Sequence, residues 1–185
     1  MRAYFTASIV GKKHYLANYL SIIQILTDQG IHVDSDHIIK TDESTIHMET
    51  LKERLAFQKK LEQWVNEADF MVVEATFPSI SVGYEISLAL NRRKPVLVLY
   101  SQGEPPSLIF NNEEEKIVCE KYTPDTLKEI IADFLNYVEG KSDTRFTFFI
   151  SSAIASYLEK RGKQMKVPKS VYLRYLIQKD MRKIT

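Results

Sequence analysis

The chain has 185 residues, 44% of them hydrophobic and 26% charged, enough for one medium domain with its own core plus a small appendage. A single cysteine, Cys119, excludes an intramolecular disulfide, and with no Cys/His cluster a structural zinc site is not expected. The opening residues MRAYFTASIVGKK lack a signal-peptide core, and no apolar run approaches the roughly 18 residues of a membrane span. The expectation is a cytoplasmic protein with no membrane association.

The net charge of +1 conceals an asymmetry. Residues 141–185 carry 11 Lys/Arg against 3 Asp/Glu, a net of +8, while residues 1–140 carry 14 against 21, a net of −7. An acidic body with a basic tail reads as two modules, 1–140 and 141–185, joined by a short polar linker at 140–143. It also fits an anionic partner for the tail.

In chain order, residues 2–7 (RAYFTA) read as a short buried strand. Residues 13–29 have helical spacing, with Leu16, Leu20, Ile23 and Leu26 as the inward set and Gly30 as the stop. A second strand is expected at 31–33 and a polar loop at 34–43. Residues 49–67 predict a long helix with Leu51, Leu55, Leu61, Trp64 and Val65 inward.

Residues 70–75 (FMVVEA) form an apolar run, followed by a loop, a helix over 82–91, and a further apolar run at 95–100. Another strand fits 117–120. Thr123-Pro124-Asp125 opens an amphipathic helix to about residue 139, with Thr123 as N-cap and Pro124 at N1. Strands alternating with helices predict an α/β fold, a mostly parallel, doubly wound, Rossmann-like or flavodoxin-like sheet. Ligands of such sheets bind beyond the carboxyl ends of the strands.

The run ADFMVVEATFPSISVGYEISLAL at 68–90 concentrates the chemistry. A buried strand ends, a loop turns at Pro78-Ser79, and Glu85 is expected in the first turn of the next helix. A helix N-terminus favours an ionised carboxylate there. Ser79 and neighbouring amides could hold a phosphate, and Gly83 would let the backbone approach a ligand. A carboxylate so placed could attack an anomeric carbon. It could equally be a helix-capping glutamate, and the residues alone leave both readings open.

PSxxVGYE at 78–85, preceded by Ala68-Asp69 and its strand, resembles the signature of the nucleoside 2-deoxyribosyltransferase and 2'-deoxynucleoside 5'-phosphate N-hydrolase superfamily. Tyr4-Phe5-Thr6-Ala7-Ser8-Ile9 is similar to that family's YFxGSI strand and loop, and Lys94-Pro95-Val96 to its KPV. His37 stands where the family has a loop histidine. Ser107, in PPSLIF, resembles a family serine that reaches the phosphate site of an adjacent subunit.

The resemblance spans residues 1–138. It implies Glu85 as nucleophile and Tyr4 as the residue that orients it or contacts the sugar. Ser8, Ile9, His37, Ser79, Gly83 and Ser107 become substrate-binding positions. It implies no metal and no cofactor. The three serines favour a nucleotide over a nucleoside. Four positions depart from the pattern: Leu61 replaces an acid that helps the base depart, Ala7 replaces the glycine of the GS pair, Val10 replaces a basic residue, and Ser81 replaces a glycine. Lys12 or Lys13 stands near enough in sequence to supply the missing positive charge.

In the tail, residues 145–150 alternate as a strand, a helix is expected from Ser151 or Ser152 to Met165, and Pro168-Lys169-Ser170 opens another. Ser-x-x-Leu-Arg-x-Leu-Ile at 170–177 resembles the second helix of ribbon-helix-helix proteins, which implies a homodimer or a higher oligomer. By that resemblance Arg145 and Thr147 would face DNA, and Lys169 and Ser170 would meet phosphate. A dimerisation clasp that never meets DNA fits the same residues.

The expected activity is cleavage or transfer at the N-glycosidic bond of a 2'-deoxynucleoside or its 5'-monophosphate. The alternative is a catalytically weakened nucleotide-binding regulator that dimerises and binds DNA through the tail. His14, His32 and His47 are expected at the surface or beside helices, Trp64 in the core, and Cys119 as a small buried hydrophobe.

Overall fold

The computed structural model describes residues 1–44, 50–104, 116–140, 150–165 and 169–184. The chain forms two compact units, Met1–Thr144 and Arg145–Thr185. In the first, strands β1 (Arg2–Ala7), β2 (His32–Asp34), β3 (Phe70–Glu74), β4 (Val96–Tyr100) and β5 (Ile117–Lys121) make one sheet in the order β2-β1-β3-β4-β5. Every pairing is parallel, so the expected α/β architecture is the one that forms. The described helices of this unit are α1 (Lys12–Asp28), α2 (Asp36–Ile39), α3 (Leu51–Glu67), α4 (Ile80–Asn91) and α5 (Pro124–Val138).

Strand alternation divides the core between two faces. Ala3, Phe5, Ala7, Phe70, Val72, Leu97 and Leu99 meet Tyr19, Ile22 and Leu26 of α1 and Leu127, Ile131 and Phe134 of α5. Tyr4, Met71, Val73, Val96 and Val98 meet Leu61 and Val65 of α3 and Val82, Ile86 and Ala89 of α4. Covered on both faces, β3 and β4 are buried along their whole length. That burial explains their unbroken apolar sequence.

Two expected helix faces are corrected. In α1 the buried stripe is Tyr19, Ile22 and Leu26, while Leu16 and Leu20 are exposed. Tyr19 is drawn inward because its hydroxyl donates to the Ser8 carbonyl at 3.0 Å. In α3 only Leu61 and Val65 are buried, and Leu51 and Leu55 are exposed. Its N-terminus is fixed locally by a reciprocal capping box between Thr50 and Glu53. A third difference lies in the expected loop at 34–43, which contains the short α2 with His37 and Ile38 buried.

Two residues of the family-like motifs hold the scaffold. Asp69 accepts from the Arg2 backbone amide at 2.8 Å, locking the start of β1 beside β3. Lys94 donates to the carbonyls of Asn66 and Ala68 at 2.9 and 2.6 Å, closing the end of α3.

In the second unit, α6 (Ser152–Met165) and α7 (Lys169–Ile184) pack on each other, with Leu158 and Tyr172 buried. Ser151 starts α6, its hydroxyl oxygen accepting from the Ile154 amide at 3.3 Å. The expected strand at 145–150 falls on 141–149, outside the described residues, apart from Ile150. Arg145 and Thr147 lie there too. Lys169 is exposed at the start of α7. Ser170 lies in the same turn, and its side chain is outside the description. Among the described residues no helix is long and apolar enough to cross a membrane.

Candidate active site

The chain leaves β1 toward β2 on one side and returns to β3 on the other. The strand order therefore reverses beside β1, the kind of position at which open parallel sheets bind ligands, beyond the carboxyl ends of their strands. Tyr4 and Thr6 point from β1 to the α4 face of the sheet, and Glu85 reaches back from α4. The Tyr4 hydroxyl donates to Glu85 Oε2 at 2.8 Å. Its oxygen is also 2.8 Å from His37 Nε2.

One hydroxyl carries one proton. With that proton on Glu85, His37 must donate from Nε2, which assigns its tautomer. His37 is held in place by rings: stacked nearly parallel to Tyr4, with centroids 4.9 Å apart, and stacked on Trp64 at 5.1 Å. Phe57 lies 6.2 Å from His37 by centroid. Trp64 was expected as plain core. It is instead half-buried and packs on a histidine that bonds Tyr4.

Burial governs the electrostatics. Glu85 is 6% exposed, and burial raises its pKa above the ordinary carboxylate value, partly offset by Thr6 and Tyr4. The expected stabilisation by the helix N-terminus does not dominate. Helix α4 begins at Ile80, so Glu85 lies beyond the first turn, where that field falls away. Burial and the Glu85 charge raise the Tyr4 pKa, keeping the phenol protonated. Burial lowers His37 to about 4, against the opposing pull of Asp34 and Asp36, so the ring is neutral at physiological pH.

The candidate phosphate residues are placed as follows. Ser8, buried in the β1–α1 loop, accepts from the Gly11 amide at 3.1 Å, leaving its own proton to donate. Ile9 is partly buried against the core beside it. Ser79 caps α4, with Val82 N at 3.5 Å. Gly83 is exposed on α4, with open space where a side chain would be. Ser107 lies outside the described residues.

Lys12 does not supply the missing positive charge. Its ammonium donates to the carbonyls of Ile38, Ile39 and Thr41 and pairs with Asp42 at 3.3 Å, tying α1 to the end of α2. Lys13 is exposed. Leu61 is 4% exposed in the apolar core and brings no proton. Its neighbour Glu62 pairs with Arg92 at 3.7 Å.

Two features were missed from sequence. Thr6, between Tyr4 and Ser8, is fully buried beside Glu85; strict alternation along β1 was the signal that could have found it. On the opposite face Glu74 is fully buried, accepting from Tyr122 at 3.1 Å and from Thr76. Thr76 in turn accepts from the Ser101 amide at 2.8 Å. This network ties the β3–α4 loop, which carries Ser79, to the end of β4. Nothing in the apolar run FMVVEA marks Glu74 as a junction.

No protein-family model matches the chain. A Syntrophotalea carbinolica protein named as a 2'-deoxynucleoside 5'-phosphate N-hydrolase is 36% identical over 135 residues, 70% of this chain and 89% of that protein. A Methanosarcina mazei protein of the same name is 32% identical over 140 residues, 71% of this chain and 82% of that one. The solved 2-deoxyribosyltransferase of Bacillus psychrosaccharolyticus shares the fold at a TM-score of 0.51 and 16% identity, over 69% of this chain and 96% of that one. The chain belongs to the 2'-deoxynucleoside 5'-phosphate N-hydrolase family.

Proposed function

We propose that the protein is an enzyme that cleaves or transfers at the N-glycosidic bond of 2'-deoxynucleoside 5'-monophosphates, with Glu85 as nucleophile. The observation that carries this is the 2.8 Å bond from Tyr4 to a buried Glu85 at the switch point of the sheet. It anchors one carboxylate oxygen and leaves the other for attack. Glu85 forms a bond to C1', and the base leaves with the bonding pair and takes a proton from solvent. Water then attacks C1' and releases the sugar, or a second base does so and completes a transfer. Both routes restore the carboxylate.

The names of the relatives support a 5'-phosphorylated substrate. Ser8 and Ser79 are the proposed phosphate donors, with Ser107 as a third. Ile9, Gly83 and His37 are the proposed contacts to sugar and base. Without an acid at Leu61 the departing base has less help, and such help is worth roughly 10²–10⁴ in rate. The expected enzyme is slow.

The test is base release. Purified protein is incubated with each deoxynucleoside and deoxynucleotide, with Glu85→Gln as control, and free base is followed by chromatography. Release from nucleotides that vanishes in E85Q supports the reading, and added second base separates hydrolysis from transfer. No release at millimolar substrate over a day sinks it.

The second reading keeps the pocket for sensing and uses the tail to bind DNA as a dimer. It is favoured by a buried, apolar Leu61 and by the tail's charge of +8. The two-helix unit also leaves Ile154, Tyr157, Met165, Tyr175 and Ile177 exposed, more apolar surface than so small a unit leaves to water unless it pairs. DNA retardation at low salt that fades at high salt would support this reading, and its absence at low salt would remove DNA from it.

A further inference from the structure

We propose that Thr6 is a second positioning residue for Glu85: its hydroxyl, on the same face of β1 as Tyr4, helps hold the carboxylate ionised and oriented for attack. The inference rests on the reading of Glu85 as the nucleophile. Three observations carry it. Thr6 is 0% exposed, so its hydroxyl is out of reach of bulk solvent. Its Oγ1 has no hydrogen-bond partner among the described residues. It follows Tyr4 by two positions on a regular strand whose β3 partners, Met71 for Tyr4 and Val73 for Thr6, are both apolar and buried. The polar group it can serve is across the interface, on α4.

Thr6 also lowers the pKa of both Glu85 and Tyr4, which places its hydroxyl in the same cluster although it completes no bond of ordinary geometry in the resting site. A buried hydroxyl without a partner is unfavourable for folding, and valine fills the same volume without that penalty. A threonine there is accounted for by what it does to a charge. Tyr4 anchors Oε2. Thr6 offers the carboxylate a second hydroxyl from the same face of β1, in the free site and as it turns toward the sugar.

The experiment compares Thr6→Val and Thr6→Ser in the full chain, with two readouts. The first is the titration of the Glu85 carboxyl carbon by NMR, assigned with Glu85→Gln, and it needs no substrate. The second is the pH profile of kcat/KM for base release. For T6V the titration midpoint moves up by about one pH unit, and kcat/KM falls roughly tenfold below that midpoint, with little change well above it. T6S keeps the wild-type midpoint, and T6V melts no lower than wild type. If T6V does not fold, Thr6→Ala against T6S gives the same comparison.

A T6V midpoint equal to wild type overturns the proposal, as does a T6S midpoint displaced as far as that of T6V. Absence of base release from the wild-type protein would defeat the functional reading instead, and the titration would still decide on Thr6.

Discussion

At the scale of residues, the site is a chain of donors: His37 Nε2 to Tyr4, and Tyr4 to Glu85. A hydrogen bond to a charged group is worth about 1.5–3 kcal/mol. Tyr4→Phe therefore lowers kcat/KM by about 10- to 100-fold. It also moves the acid limb of the pH profile upward, because losing a donor to the carboxylate raises the pKa of Glu85. His37 makes a separate prediction in stability. Its folded pKa, about 4, lies below the ordinary 6.5, so its contribution is full above 6.5 and is lost as the pH falls through 4. Between pH 7 and 5 the wild-type protein loses about 2 kcal/mol that His37→Gln does not, measurable by urea unfolding at the two pH values.

Glu74 has the opposite sign. Burial raises its pKa, so stability is full below the unfolded value and is lost as the pH rises through the folded one. Glu74→Gln keeps an acceptor for Tyr122 and Thr76 and carries no charge. Unfolding curves for E74Q and wild type should be closest at acid pH and diverge toward neutrality, with E74Q the more stable. A wild-type advantage at neutral pH would contradict this sign.

At the scale of elements, sequence periodicity located the sheet and the helices of the first unit because burial on both faces makes strands apolar and caps mark helix starts. Thr123-Pro124 opens α5 with a capping box. In α1 a single polar contact decided the buried face. Tyr19 turned α1 inward through Ser8, and α2 formed in a segment that reads as polar loop. That Tyr4 and Glu85 belong together was legible through motif spacing, and their hydroxyl and carboxylate do meet. Their electrostatics were not legible, since the extent of burial is a property of packing.

The first ten residues of α3, 51–60, are exposed, and only Leu61 and Val65 are buried. That half depends on its cap. Thr50→Ala should cost about 1 kcal/mol, and amides of residues 55–59 should exchange with solvent faster than those of residues 62–66. Uniform protection along α3 would show that another surface covers its first half.

At the scale of the whole molecule, the body and tail differ in charge, and the chemistry resides in the body. Leu61 shares one apolar cluster with Val65 and Tyr4, at the position where the resemblance implies an acid. An aspartate there would place a charge in the core without a partner, at a cost of several kcal/mol. The account therefore rests on Glu85 alone for covalent chemistry. Its most direct test is mass spectrometry of the protein quenched in acid during turnover of a deoxynucleoside 5'-monophosphate. The account predicts a deoxyribosyl 5-phosphate adduct on the peptide that contains Glu85, absent from Glu85→Gln. Base release that persists in E85Q, or an adduct on any other residue, would contradict it.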